Sequence, residues 1–163
     1  MLFRSDPNVT NSSLNIAARP DYVSQHLYVV QLQIVQYFCG AAHGDDFFET
    51  HAFDVATGER VELAAQMKGQ ASGAFETQLR TLLADNFPDS KLAQALLSDE
   101  GWSVLAGAAW WPAADGLHVL VQGTPASYMD GTSCELRVEW PSLKGKINPS
   151  SVVGQVFASA IGL

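Results

Sequence analysis

Phe38-Cys39-Gly40-Ala41-Ala42-His43-Gly44, then Phe47 to Phe53, the turn Asp54-Val55-Ala56-Thr57-Gly58 and finally Val61-Glu62-Leu63, sets the architecture of this chain. Gly40 and Gly44 bracket a tight corner, since glycine adopts backbone conformations that a side chain forbids. Upstream, residues 27–37 alternate in polarity, with Tyr28, Val30, Leu32, Ile34 and Gln36 on one side and Leu27, Val29, Gln31, Gln33, Val35 and Tyr37 on the other. A period of two marks a strand, and the side bearing Gln31 and Gln33 is expected to be the wetter one. Downstream, Phe47, Glu49, His51 and Phe53 alternate with Phe48, Thr50, Ala52 and Asp54. Thr57-Gly58 supplies the turn that closes a hairpin onto Val61.

Beyond this unit the period changes. Phe75, Leu79, Leu82 and Leu83 fall at helical spacing over residues 73–87, and Pro88 ends the run. Lys91 to Leu97 adds one or two further helical turns. Residues 102–111 read as an apolar strand, Asp115-Gly116 as a hairpin turn, and residues 117–121 as the returning strand. Thr124 to Thr132 is irregular and long enough to suggest a loop with a role. Cys134 to Trp140 alternates as a final strand stopped by Pro141, and Asn148-Pro149-Ser150-Ser151 opens a C-terminal helix carrying Val152, Val153, Val156, Phe157 and Ile161. The order predicts an α+β fold, a mostly antiparallel sheet with helices packed on one face. The polar cluster Asn8 to Ser13 reads as part of a flexible N-terminal segment, residues 1–21, with one domain over residues 22–163.

Composition narrows the function classes. With 163 residues, 47% hydrophobic and 16% charged, the chain can bury a substantial core. Nine basic residues face 17 acidic ones, a net charge of −8, and no basic run is interleaved with aromatics, which makes nucleic acid and anionic membrane surfaces poor partners and a basic protein a good one. The opening Met1-Leu2-Phe3-Arg4-Ser5-Asp6-Pro7 is too short and polar for a signal peptide, and no apolar run reaches the length needed for membrane insertion. Cys39 and Cys134 flank an early and a late strand, a placement compatible with a cross-strand disulfide in an oxidising compartment and equally with two buried thiols.

The usual nucleophile-elbow, phosphate-loop, zincin and dinucleotide motifs are absent. Cys39 and His43 lack anything that fixes a thiolate pair. His43, Asp45, Asp46, Glu49 and His51 include imidazole and carboxylate groups of the kind that bind divalent ions, but their spacing suits an exposed hairpin, and no metal is expected. His43 reads as a structural corner residue. The six carboxylates between Asp45 and Glu62, against Arg60 alone, make this hairpin a source of acidic surface. Of the tryptophans, Trp102 and Trp140 read as core residues at sheet ends, while Trp110 and Trp111 point to opposite faces.

Gly40-Ala41-Ala42-His43 after an aromatic strand, Phe53-Asp54 with Thr57-Gly58 and Leu63, the Asp115-Gly116-Leu117 hairpin, a loop around Tyr128 and Gly131, and the closing Trp140-Pro141-Ser142-Leu143 follow one another in a familiar order. Over about residues 22–145 this resembles the domain of unknown function that forms the extracytoplasmic part of RsiV-type, lysozyme-sensing anti-sigma factors and occurs in other exported bacterial proteins. The resemblance implies a non-enzymatic, cofactor-free domain located in the periplasm or outside the cell, which recognises a cell-wall-related protein such as a lysozyme-like peptidoglycan hydrolase. Asp45, Asp46, Glu49, Tyr128, Met129 and Asp130 are the candidate contact residues. The alternatives are an immunity or inhibitor protein that blocks such a hydrolase with the 124–132 loop, and a glycan- or metal-binding domain.

Overall fold

The computed structural model describes residues 12–38, 44–69, 71–99, 103–122 and 133–163. Cys39, Gly40, His43, Trp102, Tyr128, Met129 and Asp130 therefore lie outside the described residues. Two three-stranded antiparallel sheets and a set of helices make an α+β fold. The first sheet has the order β1 (Ser13–Val23), β2 (Leu27–Tyr37), β3 (Asp45–Asp54), and the second the order β4 (Ala109–Ala113), β5 (Gly116–Gln122), β6 (Ser133–Val138).

The β2–β3 pair is the expected hairpin, running from Leu27 opposite Asp54 to Gln36 opposite Asp45. Its closing turn is held by the Asp54 carboxylate, whose Oδ1 accepts from the Ala56 amide at 2.8 Å, and by Gly58, whose φ of +73° falls in the left-handed region that glycine tolerates. The return is short. Arg60 bridges Phe53, the Val61 amide donates to the Ala52 carbonyl at 2.8 Å, and a single 3₁₀ turn follows at Ala64–Gln66.

Three expectations are corrected. The segment over residues 1–21 is not irregular to its end, because β1 begins at Ser13 and pairs with β2 as far as Val23. Its polar residues and the exposed Leu14 and Ile16 hide the strand from a periodicity argument. The register shifts between Pro20 and Tyr22, so Asp21 is the extra residue of a bulge, beside a proline that cannot donate to a ladder. Secondly, the side of β2 bearing Gln31 is the inner one. Leu27, Val29 and Gln31 are buried at 0%, 0% and 4% exposure, whereas Tyr28 is 36% exposed. Thirdly, the strand expected over residues 102–111 is interrupted by a helical turn, α3 (Val104–Gly107), and β4 starts only at Ala109. The cause is remote in sequence. The Glu76 carboxylate accepts from the Val104 and Leu105 amides at 2.7 and 3.1 Å and from the Ser103 hydroxyl at 2.9 Å, satisfying the donors a helix start leaves open.

Helix α1 (Ala71–Asn86) buries Phe75, Leu79 and Leu83 completely, the stripe that the helical spacing announced. α2 (Lys91–Ser98) is capped by the Ser90 hydroxyl, which accepts from the Ala93 amide. Both helices contribute to one core with Leu117, Val119 and Val121 of β5 and Leu136 and Val138 of β6. The C-terminal stripe forms two short helices, α4 (Val152–Val156) and α5 (Ala158–Ile161), divided at Phe157. That ring stacks on Trp140 at 4.2 Å between centroids and meets Tyr22 of β1 at 5.3 Å, so the break serves an aromatic cluster joining the C-terminus to the first sheet.

The two sheets meet through side chains as well as through the core. The Trp110 amide donates to Thr50 Oγ1 at 2.7 Å, and the Gln122 amide group clamps the Phe48 backbone, donating to its carbonyl at 2.6 Å and accepting from its N–H at 2.8 Å. Cys134 is a free thiol at 1% exposure, 3.8 Å from Ser90 Oγ. Cys39, the other half of the disulfide considered, lies outside the described residues, and Cys134 is packed in the core. β6, which carries it, belongs to the second sheet, whereas the strand preceding Cys39 belongs to the first. No helix among the described residues is long and apolar enough to cross a membrane.

Candidate binding site

β3 and the segment after its turn border a cleft of about 300 Å³. The period of two places Glu49 and His51 on the same side of β3, opposite Leu32 and Val30 of β2. The Gly58 turn then brings Arg60 and Glu62 alongside them. His51 Nε2 lies 3.2 Å from Glu49 Oε2, and Arg60 Nε 2.8 Å from Glu62 Oε1. Buried Val61, Leu63 and Trp110 line the same cleft, together with Phe48 and Leu105, the latter set in place by the Glu76 cap on α3.

The cleft therefore combines apolar walls with a charged surround. Glu49 and Glu62 side chains remain 49% and 61% exposed. Two carboxylates stand against one permanent cation, Arg60. Such exposed pairs hold little energy of their own, so a stronger cation can compete for either carboxylate at small cost. A lysine or arginine side chain could lay its methylene stem on the apolar wall and its charge between the carboxylates.

The other sequence-predicted residues are dispersed. Asp46 accepts from Gln33 Nε2 at 3.1 and 3.3 Å, which ties it to β2 and away from the cleft. Asp45 is the first residue of β3, opposite Gln36. Thr57 and Gly58 belong to the turn, where Thr57 Oγ1 accepts from the Glu59 amide at 3.2 Å. Among the described residues, no group of three or more His, Cys, Asp and Glu side chains is disposed to hold a metal ion.

Asp115 and Gly116 form the second hairpin turn, and here the structure assembles a cluster that sequence reading missed. Trp111, His118 and Arg137 lie side by side across β4, β5 and β6. The His118 ring stacks on Trp111 at 5.5 Å, with Nε2 3.0 Å from Asp115 Oδ1 and Nδ1 2.7 Å from Glu135 Oε1. Arg137 reaches Asp115 Oδ2 at 3.3 Å. Burial works against a charged His118, but the hydrogen bonds it donates to Asp115 and Glu135 prevail and hold it above its ordinary value. Asp115 is held below the ordinary carboxylate range, chiefly by its bond to His118. The available signal was the outward alternation of Trp111, His118, Glu135 and Arg137.

No family model matches the sequence, and no curated protein matches it. Solved structures do share its architecture. A DUF3298-family protein from Pseudomonas aeruginosa PAO1 superposes with a TM-score of 0.61 at 19% identity, over 85% of this chain and 63% of that one. The chain has the fold of DUF3298 proteins. A second member, from Bacteroides fragilis NCTC 9343, gives a TM-score of 0.69 at 15% identity, over 95% of this chain and 62% of its own. The chain thus spans less than two thirds of the length of either DUF3298 structure.

Proposed function

We propose that this DUF3298-like domain is a non-enzymatic binding or sensor module outside the cytoplasm, and that it recognises a basic, cell-wall-related protein of the lysozyme-like hydrolase type. The observation that carries this reading is the cleft beside β3, where exposed Glu49 and Glu62 flank an apolar wall in a chain of net charge −8. That surface matches a lysine or arginine presented by a partner, and the excess negative charge draws a basic protein toward it. The sequence resemblance to the extracytoplasmic part of RsiV-type anti-sigma factors is not in conflict with the DUF3298 likeness and supplies the class of partner.

Recognition of this kind needs no chemistry from the domain. The cleft offers two carboxylates, each already paired with a nearby nitrogen base. Titrating lysozyme into the protein by calorimetry at low and at raised ionic strength tests the proposal. Binding that weakens with salt is expected, and no binding at low salt would refute it. Following hydrolase activity in the same titration separates a sensor, which leaves the enzyme active, from an inhibitor.

A further inference from the structure

The edge of β3 that faces the cleft is paired at both ends and open between them. In an antiparallel ladder every second residue turns its N–H and C=O away from the neighbouring strand. On this stretch of β3 the outward residues are Phe48, Thr50, Ala52 and Asp54. The Asp54 amide donates to the Glu59 carbonyl at 2.9 Å, and the Ala52 carbonyl accepts from Val61 at 2.8 Å. At the other end the Gln122 side chain engages both main-chain groups of Phe48. Thr50 lies between, and neither its N–H nor its C=O has a partner among the described residues.

The gap has a local cause. Val61 is bonded to Ala52, so a chain that stayed extended would set Leu63 opposite Thr50. Instead Leu63 takes helical angles, φ −59° and ψ −42°, at the start of the 3₁₀ turn, and the returning segment leaves β3 one rung early. The cleft of about 300 Å³ opens at this rung, with Thr50, Leu63, Glu49 and Glu62 among its walls.

The rung and its surround select the occupant. One outward N–H beside one outward C=O is the pair that an extended main chain matches. Residues opposite one another in a ladder share a face of the sheet. A residue paired with Thr50 therefore points to the side closed by Trp110, whose amide holds Thr50 Oγ1 at 2.7 Å, and it must be small. Its two neighbours point to the other side, where the exposed Glu49 and Glu62 carboxylates favour lysine or arginine.

We infer that the cleft accepts an extended segment of a protein partner as a further strand, antiparallel to β3, with a small residue on the Thr50 rung and a basic residue on either side. The inference rests on the reading of this cleft as a protein-binding site and adds how the partner's main chain is held.

Nuclear magnetic resonance of the ¹⁵N-labelled full chain tests it with three end-blocked tripeptides: lysyl-alanyl-lysine, the same peptide methylated on the alanine nitrogen, and glutamyl-alanyl-glutamate. The first is expected to shift the Thr50 amide signal saturably and to slow its hydrogen exchange. The methylated peptide keeps both charges but lacks the N–H that the Thr50 carbonyl would accept, and it should bind about tenfold more weakly. The glutamyl peptide should leave the Thr50 signal in place. No saturable Thr50 shift, or equal binding of the methylated or the glutamyl peptide, would overturn the inference. All three probes are read on the unaltered protein, so no variant has to fold. Salt-sensitive lysozyme binding found together with such a result would remove the strand pairing and leave the proposed recognition standing. Pairing at Thr50 without lysozyme binding would uphold the strand site and refute the hydrolase as its partner.

Discussion

Glu76 of α1 caps Val104 across 28 positions of sequence, its Oε1 accepting the Val104 amide proton at 2.7 Å while Oε2 takes Leu105 and Ser103. Arg80, one helical turn on, lies 3.5 Å from the same carboxylate. Because Leu105 lines the cleft beside β3, this cap ties α1 to the shape of the candidate site. Glu76→Ala leaves three donors unsatisfied at a half-buried position, and a loss of about 1–3 kcal/mol is expected. Urea denaturation measures it; unchanged stability would show that α3 does not need the cap.

The His118 cluster makes stability depend on pH. Its pKa is raised by the Asp115 and Glu135 hydrogen bonds against the opposing effect of burial, so the folded state binds the proton more tightly than the unfolded chain does. The stabilisation is fully present below the ordinary value of about 6.5 and is lost as pH rises through the higher folded value. The melting temperature should therefore fall between about pH 6 and pH 8. His118→Gln should flatten that part of the profile, and an identical profile in the variant would refute the assignment.

Gly116 has a steric duty. A Cβ built there would lie 2.5 Å from the Val138 carbonyl oxygen, closer than real side chains approach, and the neighbour is backbone with no freedom to yield. Gly116→Ala should force β5 and β6 apart and cost about 1–3 kcal/mol, in the range of other overpacking changes. Thermal unfolding provides the check, and a neutral substitution would mean that the hairpin relaxes freely.

The sequence made the β2–β3 hairpin, both helices before Ser103 and the Asp115-Gly116 turn legible, because their signals are local: alternation, a 3.6-residue stripe, and residues suited to tight turns. Other features depend on distant groups. β1 is exposed on both faces over most of its length, so it has no hydrophobic rhythm, and it becomes a strand by pairing with β2. α3 exists where Glu76 reaches it. The inward side of β2 was misjudged because Gln31, a polar residue, sits in the buried row. In the candidate cleft, Glu49 was foreseen as a contact residue, but Arg60, Glu62 and Trp110 join it only through the turn and the meeting of two sheets. The His118 cluster spans three strands, and no local motif encodes it.

The proposed recognition stands or falls on the two carboxylates of the cleft. Lysozyme binding should be compared by calorimetry for the unaltered chain and for Glu49→Lys combined with Glu62→Lys, at about 20 mM and about 300 mM salt, either side of strong screening. Both side chains are substantially exposed, so the double variant should fold. The expected result is binding to the unaltered chain at low salt that weakens at high salt and is lost in the variant. Absence of binding at low salt, or equal binding by the variant, would contradict it.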